Sequence, residues 1–161
     1  MMAEPSRAKC VLLDTNLLLL LLVGTVGRAW VAKHKRTTQF SAADFDFLVE
    51  TLQGSSIVTT PNVLAEVSNL GALGFDGPAK HRFFDVLKDF VLTKFDERQM
   101  TGKTTVESLL FQTLGLTDAG IERVASENVL VLTTDAPLWG QLQKRKLKAV
   151  NYAHLRRESL T

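Results

Sequence analysis

Residues 10–25 read CVLLDTNLLLLLLVGT, an apolar run interrupted by Asp14 and Asn16. A run this apolar has to be buried, in protein or in lipid, and the two polar residues decide which. The uninterrupted part, Leu17 to Val23, is seven residues, whereas a membrane-spanning helix needs about twenty. A carboxylate is also costly at any depth in lipid. Arg7 and Lys9 precede the run as basic residues precede a secretory leader. Yet Asp14 and Asn16 split the apolar stretch, and Gly24–Arg28 is a poor context for cleavage. The segment is therefore expected inside a folded domain, and the protein in the cytoplasm with no membrane partner. Inside a fold, a short apolar strand ending on an aspartate sets a carboxylate at the edge of a sheet. There Asp14 is either a turn residue or a working group.

Hydrophobic residues make up 45% and charged residues 22% of the 161, the balance of a globular chain rather than a disordered one. One domain spanning 1–161 is expected. A single cysteine, Cys10, excludes an intramolecular disulfide framework. Its apolar neighbours make it a small core residue rather than a nucleophile, which needs an electropositive and partly exposed site. The net charge of +2 is unevenly spread, with basic clusters at Lys33-His34-Lys35-Arg36, at Lys144-Arg145-Lys146 with Lys148, and at Arg156-Arg157. Each alone is an ordinary solvated surface. Beside a site that handles phosphates they would suit a polyanion, so Lys33, Lys35, Arg36, Lys144, Arg145 and Lys146 are candidate nucleic-acid contacts.

The pattern of punctuation predicts alternating strands and helices. Residues 9–13 read as a buried strand ending at Asp14, and a helix follows from Leu17 with Thr15 or Asn16 as its cap. Gly24 to Gln39 reads as an irregular connection. Ser41 with Asp44 resembles a capping box, followed by Phe45, Leu48, Val49 and Leu52 at helical spacing. Ile57 to Thr59 is a second strand, and Thr60-Pro61 is a helix start of a hydroxyl cap followed by proline. Gly74–Pro78 is expected as a loop, with helices around Phe83–Val91 and Val106–Leu114 after it. A helix from Asp118 to Ser126 capped by Thr117, a strand at Val129–Leu132, a helix at Pro137–Lys146 and a final strand at Ala149–Tyr152 complete the reading. Strands alternating with helices imply an α/β fold, three-layered α/β/α with a central parallel sheet.

In such sheets ligands bind beyond the carboxyl ends of the strands. Asp14 follows the first strand there, and Asp135 follows the third after Thr133-Thr134. Glu66 lies in the second turn of the helix after strand two. At about 100° per residue it borders the apolar face of Val63, Val67 and Leu70, which turns it toward the sheet edge rather than open water. Asp118 starts a helix that runs away from this edge, and the strand at 129–132 runs back, which sets Asp118 near Asp135. Singly, each aspartate is a turn residue or a helix N-terminal acid favoured by the macrodipole. Together they repel and raise one another's pKa unless a positive charge lies between them. A hard divalent cation such as Mg²⁺ or Mn²⁺ takes oxygen ligands and fits this set. Zinc does not, because neither cysteine nor histidine accompanies the acids.

Four segments carry a family resemblance: LLDTN at Leu12–Asn16, TPNVLAEVSNL at Thr60–Leu70, LTDAGIERVASENVLVLTTD at Leu116–Asp135, and LKAVNYAHL at Leu147–Leu155. In this order and spacing, over nearly the whole chain, they resemble the PIN domain, a family of metal-dependent ribonucleases that includes the VapC toxins of bacterial toxin–antitoxin pairs. The resemblance implies a PIN-like fold and a Mg²⁺- or Mn²⁺-dependent endoribonuclease in which Asp14, Glu66, Asp118 and Asp135 are the acidic quartet. Asn16 and Thr133 match positions of supporting polar residues. It further implies RNA as the partner, with a cognate antitoxin or a homodimer as further partners.

Other signals carry less. Gly102-Lys103-Thr104 is not a phosphate-binding loop, since the glycine such a loop requires five positions earlier is Glu97. His34, His81 and His154 have no ligand spacing and read as surface residues. Trp30 and Trp139 read as partly buried, and Phe83, Phe84 and Phe90 as core. Two other functions stay open on the residues alone. A phosphohydrolase with an aspartate nucleophile would carry a second acid two residues on, where this chain has Asn16. A catalytically weak module binding nucleic acid or a protein partner would retain the same fold.

Overall fold

The computed structural model describes residues 8–161; Arg7, read above with Lys9 as a basic flank, lies outside the described residues. Five short segments, β1 (Cys10–Leu13), β2 (Ser56–Thr59), β3 (Phe95–Glu97), β4 (Leu130–Thr133) and β5 (Ala149–Asn151), form one wholly parallel sheet in the order β3-β2-β1-β4-β5. Helices α1 (Thr15–Val26), α2 (Ala42–Leu52), α3 (Pro61–Ala72) and α4 (Gly77–Thr93) connect the first three strands. Helices α5 (Gly102–Thr105), α6 (Phe111–Leu114), α7 (Leu116–Ala125) and α8 (Ala136–Lys144) connect the rest, and α9 (Tyr152–Glu158) follows β5. The chain steps outward from β1 to β2 and β3, then returns across β1 to place β4 and β5 on its other side. Crossovers between parallel strands are right-handed, so this reversal puts α1–α4 on one face and α5–α8 on the other. The packing agrees: α1 lies against α2, α3 and α4, and α7 against α5, α6 and β4. The fold is a three-layer α/β/α sandwich.

Helix α1 explains the apolar run. Leu17 through Val23 are all buried, because the helix is wedged between the sheet and the other helices of its layer. A helix apolar all round belongs in such a position. It starts at Thr15, two residues before the expected Leu17: Asp14, not Thr15 or Asn16, is its cap, accepting a hydrogen bond from Leu17 N. It also continues through Gly24 to Val26, where an irregular connection was expected. Gly24 is kept helical by packing, since its missing Cβ is the space occupied by the Phe45 ring. A short 3-10 turn at Arg28–Trp30 and a series of turns then lead to α2. Its Ser41–Asp44 capping box is present, as is the Thr60 cap with Pro61 in the first turn of α3.

Several further expectations are corrected. Edge strand β3 was not foreseen: Phe95-Asp96-Glu97 lacks β-branched residues and pairs only with β2, so its conformation comes from the neighbouring ladder rather than propensity. The expected loop at Gly74–Pro78 ends inside α4, which begins at Gly77. Of the helix expected at Val106–Leu114 only Phe111–Leu114 is helical; Val106–Leu110 are turns that follow the short α5, and Leu109 is exposed. Gly115 at φ 89°, not Thr117, stands before α7. Phe84 is 41% exposed, so it is not core, whereas Phe83 and Phe90 are buried. Cys10 is only half-buried. His34 is fully buried rather than a surface residue. Its Nδ1 accepts from Arg36 N at 3.1 Å, which leaves Nε2–H to donate to Gly71 O at 2.9 Å.

Gly71 is held from both sides. A Cβ there would overlap the Phe83 ring, which is fully buried and stacked on Phe75 with centroids 5.4 Å apart. Replacing a helical glycine by alanine normally gains about 1 kcal/mol, while overpacking a closed core costs about 1–3 kcal/mol. Gly71→Ala is therefore expected to destabilise the protein, seen as a lower urea midpoint at unchanged slope. A raised midpoint would show that the Phe75–Phe83 stack yields.

Candidate active site

The strand order reverses between β1 and β4. At such a switch point the connections leave toward opposite faces, and a crevice opens beyond the carboxyl ends of the two strands. Asp14 ends β1, and Asp135 lies two residues beyond β4. Both acids cap the helix that follows their strand: Leu17 N donates to Asp14 Oδ1 at 2.8 Å, and Leu138 N donates to Asp135 Oδ1 at 2.9 Å. One hydroxyl joins them. Thr133 Oγ1 donates to Asp14 Oδ2 at 2.5 Å and accepts from Asp135 N at 2.9 Å. Thr134 N adds a further bond to Asp14 Oδ2 at 2.9 Å. Asp14, 4% exposed, is thus buried with three donors around its carboxylate.

The other two acids arrive from opposite layers. Glu66, on the second turn of α3, accepts from Thr15 Oγ1 at 2.8 Å. It reaches the sheet edge as expected, yet it is open to solvent rather than sheltered from it. Asp118, in the first turn of α7, is half-buried and accepts no hydrogen bond among the described residues. All four acids line one cleft of about 470 Å³, together with Asn16, Thr15 and Thr117 and an apolar wall of Leu70, Leu114 and Leu116. Among the described residues, no lysine, arginine or histidine lines it. Thr133 stands behind Asp14 and does not face the cleft.

This geometry shifts two of the carboxyls. Burial pushes Asp14 above the usual carboxylate range, opposed by the hydrogen bonds from Thr133, Leu17 and Thr134 and reinforced by the nearby Asp135. Asp118 is pushed up to about 7, first by burial and then by the charges of Asp135, Asp14 and Glu66. The site is an uncompensated pool of negative charge.

Among the described residues, no three acidic, histidine or cysteine side chains converge closely enough to enclose one ion directly. The donor set still fits a hard cation, because Mg²⁺ is ordinarily held by one or two carboxylates and keeps several waters. A closed, all-protein cage is what these residues do not form.

The basic clusters are not brought to the cleft. Helix α8 runs from the carboxyl end of β4 to the amino end of β5, so Lys144, Arg145 and Lys146 lie at the edge opposite the acids. Lys148 confirms the placement, with its carbonyl accepting from Val131 N at 2.9 Å and its Nζ donating to Asn128 Oδ1 at 2.6 Å. Arg145 is paired with Glu122 at 3.7 Å. Lys33, Lys35 and Arg36 are exposed on the turn that His34 fastens to Gly71, near the end of α3 away from its start at the sheet. Sequence reasoning missed Thr15 and Thr134, whose contacts with Glu66 and Asp14 join residues far apart in the chain. The chain matches no protein-family model and no curated protein.

The raised pKa of Asp118 sets a pH dependence. An acid at 3.8 when unfolded and about 7 when folded holds its proton better in the native state, so stability falls as pH rises between those values. In chelator, the melting temperature of the wild type relative to Asp118→Asn is expected to drop from about pH 4 to pH 7 and level off above. A difference curve flat across this window would show that Asp118 ionises as a solvated acid.

Proposed function

We propose that the protein is a metal-dependent endoribonuclease that hydrolyses phosphodiester bonds at the cleft between β1 and β4. The observation that carries this reading is the convergence of Asp14, Glu66, Asp118 and Asp135, from four different elements, on one cleft with no basic residue in its lining among the described residues. Such a cleft repels a phosphate unless a cation enters with it, and it is built of the oxygen donors that Mg²⁺ and Mn²⁺ take. The resemblance of the four motifs to PIN-domain ribonucleases supports RNA as the substrate and these residues as the acidic quartet.

The four carboxylates would hold the cation, one or two directly and the others through its waters. When bound, it supplies neutralisation of charge at phosphorus and a water of lowered pKa. The chain's own contribution is positional. Thr133 ties the Asp14 carboxylate to the Asp135 backbone N–H, and the caps of α1 and α8 hold both carboxylates against rotation. Leu70, Leu114 and Leu116 give the cleft an apolar wall on which a ribose or an unstacked base can rest.

Asp14 is a poor residue with which to test this. An asparagine there keeps one oxygen for Leu17 N but presents an NH₂ to Thr133 and Thr134 N, so Asp14→Asn should lower stability and activity together. Asp118 has no such structural role. Wild-type protein is expected to cleave single-stranded RNA with Mg²⁺ or Mn²⁺ and not with chelator. Asp118→Asn should lose on the order of a hundredfold or more in rate, since even outer-shell partners of a metal are worth about 10–100-fold. Metal at a hundred times its Kd should stabilise the wild type by about 2.7 kcal/mol. Cleavage that survives in Asp118→Asn, or that ignores chelator, would overturn the reading.

A further inference from the structure

Three of the four acids differ in how firmly they are held. Asp14 and Asp135 are pinned by backbone N–H groups, as caps of α1 and α8. Glu66 is exposed, carries a side chain with large rotamer entropy, and accepts one hydrogen bond, from Thr15 Oγ1 at 2.8 Å. Thr15 is the first residue of α1, directly after Asp14. Other threonines in helices here turn their hydroxyls back on their own helix: Thr25 donates to Leu21 O, Thr51 to Phe47 O and Thr93 to Asp89 O. At the start of α1 no preceding helical carbonyl exists to take that bond, so the Thr15 hydroxyl is free to reach across to α3. Its β-branched side chain is stiff about χ1, which makes it a fixed donor rather than a mobile one. It is not needed as a cap, because Asp14 already serves.

We infer that Thr15 is a positioning residue, which orients the Glu66 carboxylate toward the cation of the cleft and couples it to Asp14, its neighbour in the chain. The inference rests on the proposed metal-dependent function. Without the hydroxyl, Glu66 would sample its rotamers in solvent, and the cation would lose a preorganised partner. Hydrogen-bonded outer partners of this kind typically carry 10–100-fold in metal affinity.

Calorimetric titration of Mn²⁺ into the full chain tests this without recourse to activity, with folding followed separately by the urea midpoint. Thr15→Val is expected to weaken Mn²⁺ binding about tenfold, and Thr15→Ser, which keeps the hydroxyl, to stay within about twofold of wild type. In a Glu66→Gln background the Thr15→Val change should add little, because the charged carboxylate it positions is already gone. Wild-type affinity in Thr15→Val alongside weakened binding in Glu66→Gln would overturn the positioning role and leave the metal site standing. An equal loss from Thr15→Val with and without Glu66 would assign its effect to the α1–α3 packing instead. Failure of the wild type to bind Mn²⁺ would remove the proposed function itself, and the role of Thr15 with it.

Discussion

The carboxylate of Asp14 is the joint between the two halves of the fold. Buried at 4% exposure, it accepts from the first turn of α1, from Thr133 at the end of β4 and from Thr134 just beyond, while the Asp14 backbone N–H donates to Leu132 O. Those contacts tie the end of β1, the start of α1 and the β4–α8 turn to one group. A buried carboxylate is expensive unless its lone pairs are taken, and here three donors from two segments take them. The same residue that ends the strand therefore sets the geometry of the strand beside it.

That joint lies where the sheet reverses direction, and the position has an electrostatic consequence. Because α3 and α7 belong to opposite layers, the second turn of α3 and the first turn of α7 face one another across the crevice beyond β1 and β4. Glu66 and Asp118 are brought there without any requirement that they neutralise one another. Burial and mutual repulsion raise Asp118 to about 7, and no basic residue among those described lines the cleft to relieve it. Some acids elsewhere are paired, Asp96 and Glu127 with Arg98 and Asp44 with Arg156. What sets the cleft apart is that four acids from four elements share it, and this is the ground on which a chemical rather than a structural role is proposed for it.

The division between what could be read along the chain and what could not follows the range of the forces. Local rules were legible. The capping box at Ser41, the Thr60-Pro61 helix start, the buried strands and the parallel α/β layering all follow from neighbours in sequence. The four acids were legible too, because strand ends and helix starts fall on one edge by topology. Errors came where a distant neighbour overruled a local preference. Gly24 stays helical because of Phe45, His34 can be buried because Gly71 O accepts a hydrogen bond from its ring, and β3 exists because β2 offers a ladder.

The sequence by itself determined that residues 10–25 belong inside a fold, that the sheet is parallel, and which carboxylates share its edge. These are consequences of hydrophobic period and chain direction, which need no coordinates. Packing in three dimensions was needed to make Asp14 cap α1 while bonding across to Thr133, to bring Thr15 to Glu66, and to put Lys144–Lys146 at the edge opposite the acids. Each of these depends on which helices lie side by side and on which face a crossover returns. Residues 51 or 119 positions apart then meet within hydrogen-bonding distance, and no local pattern encodes such a meeting.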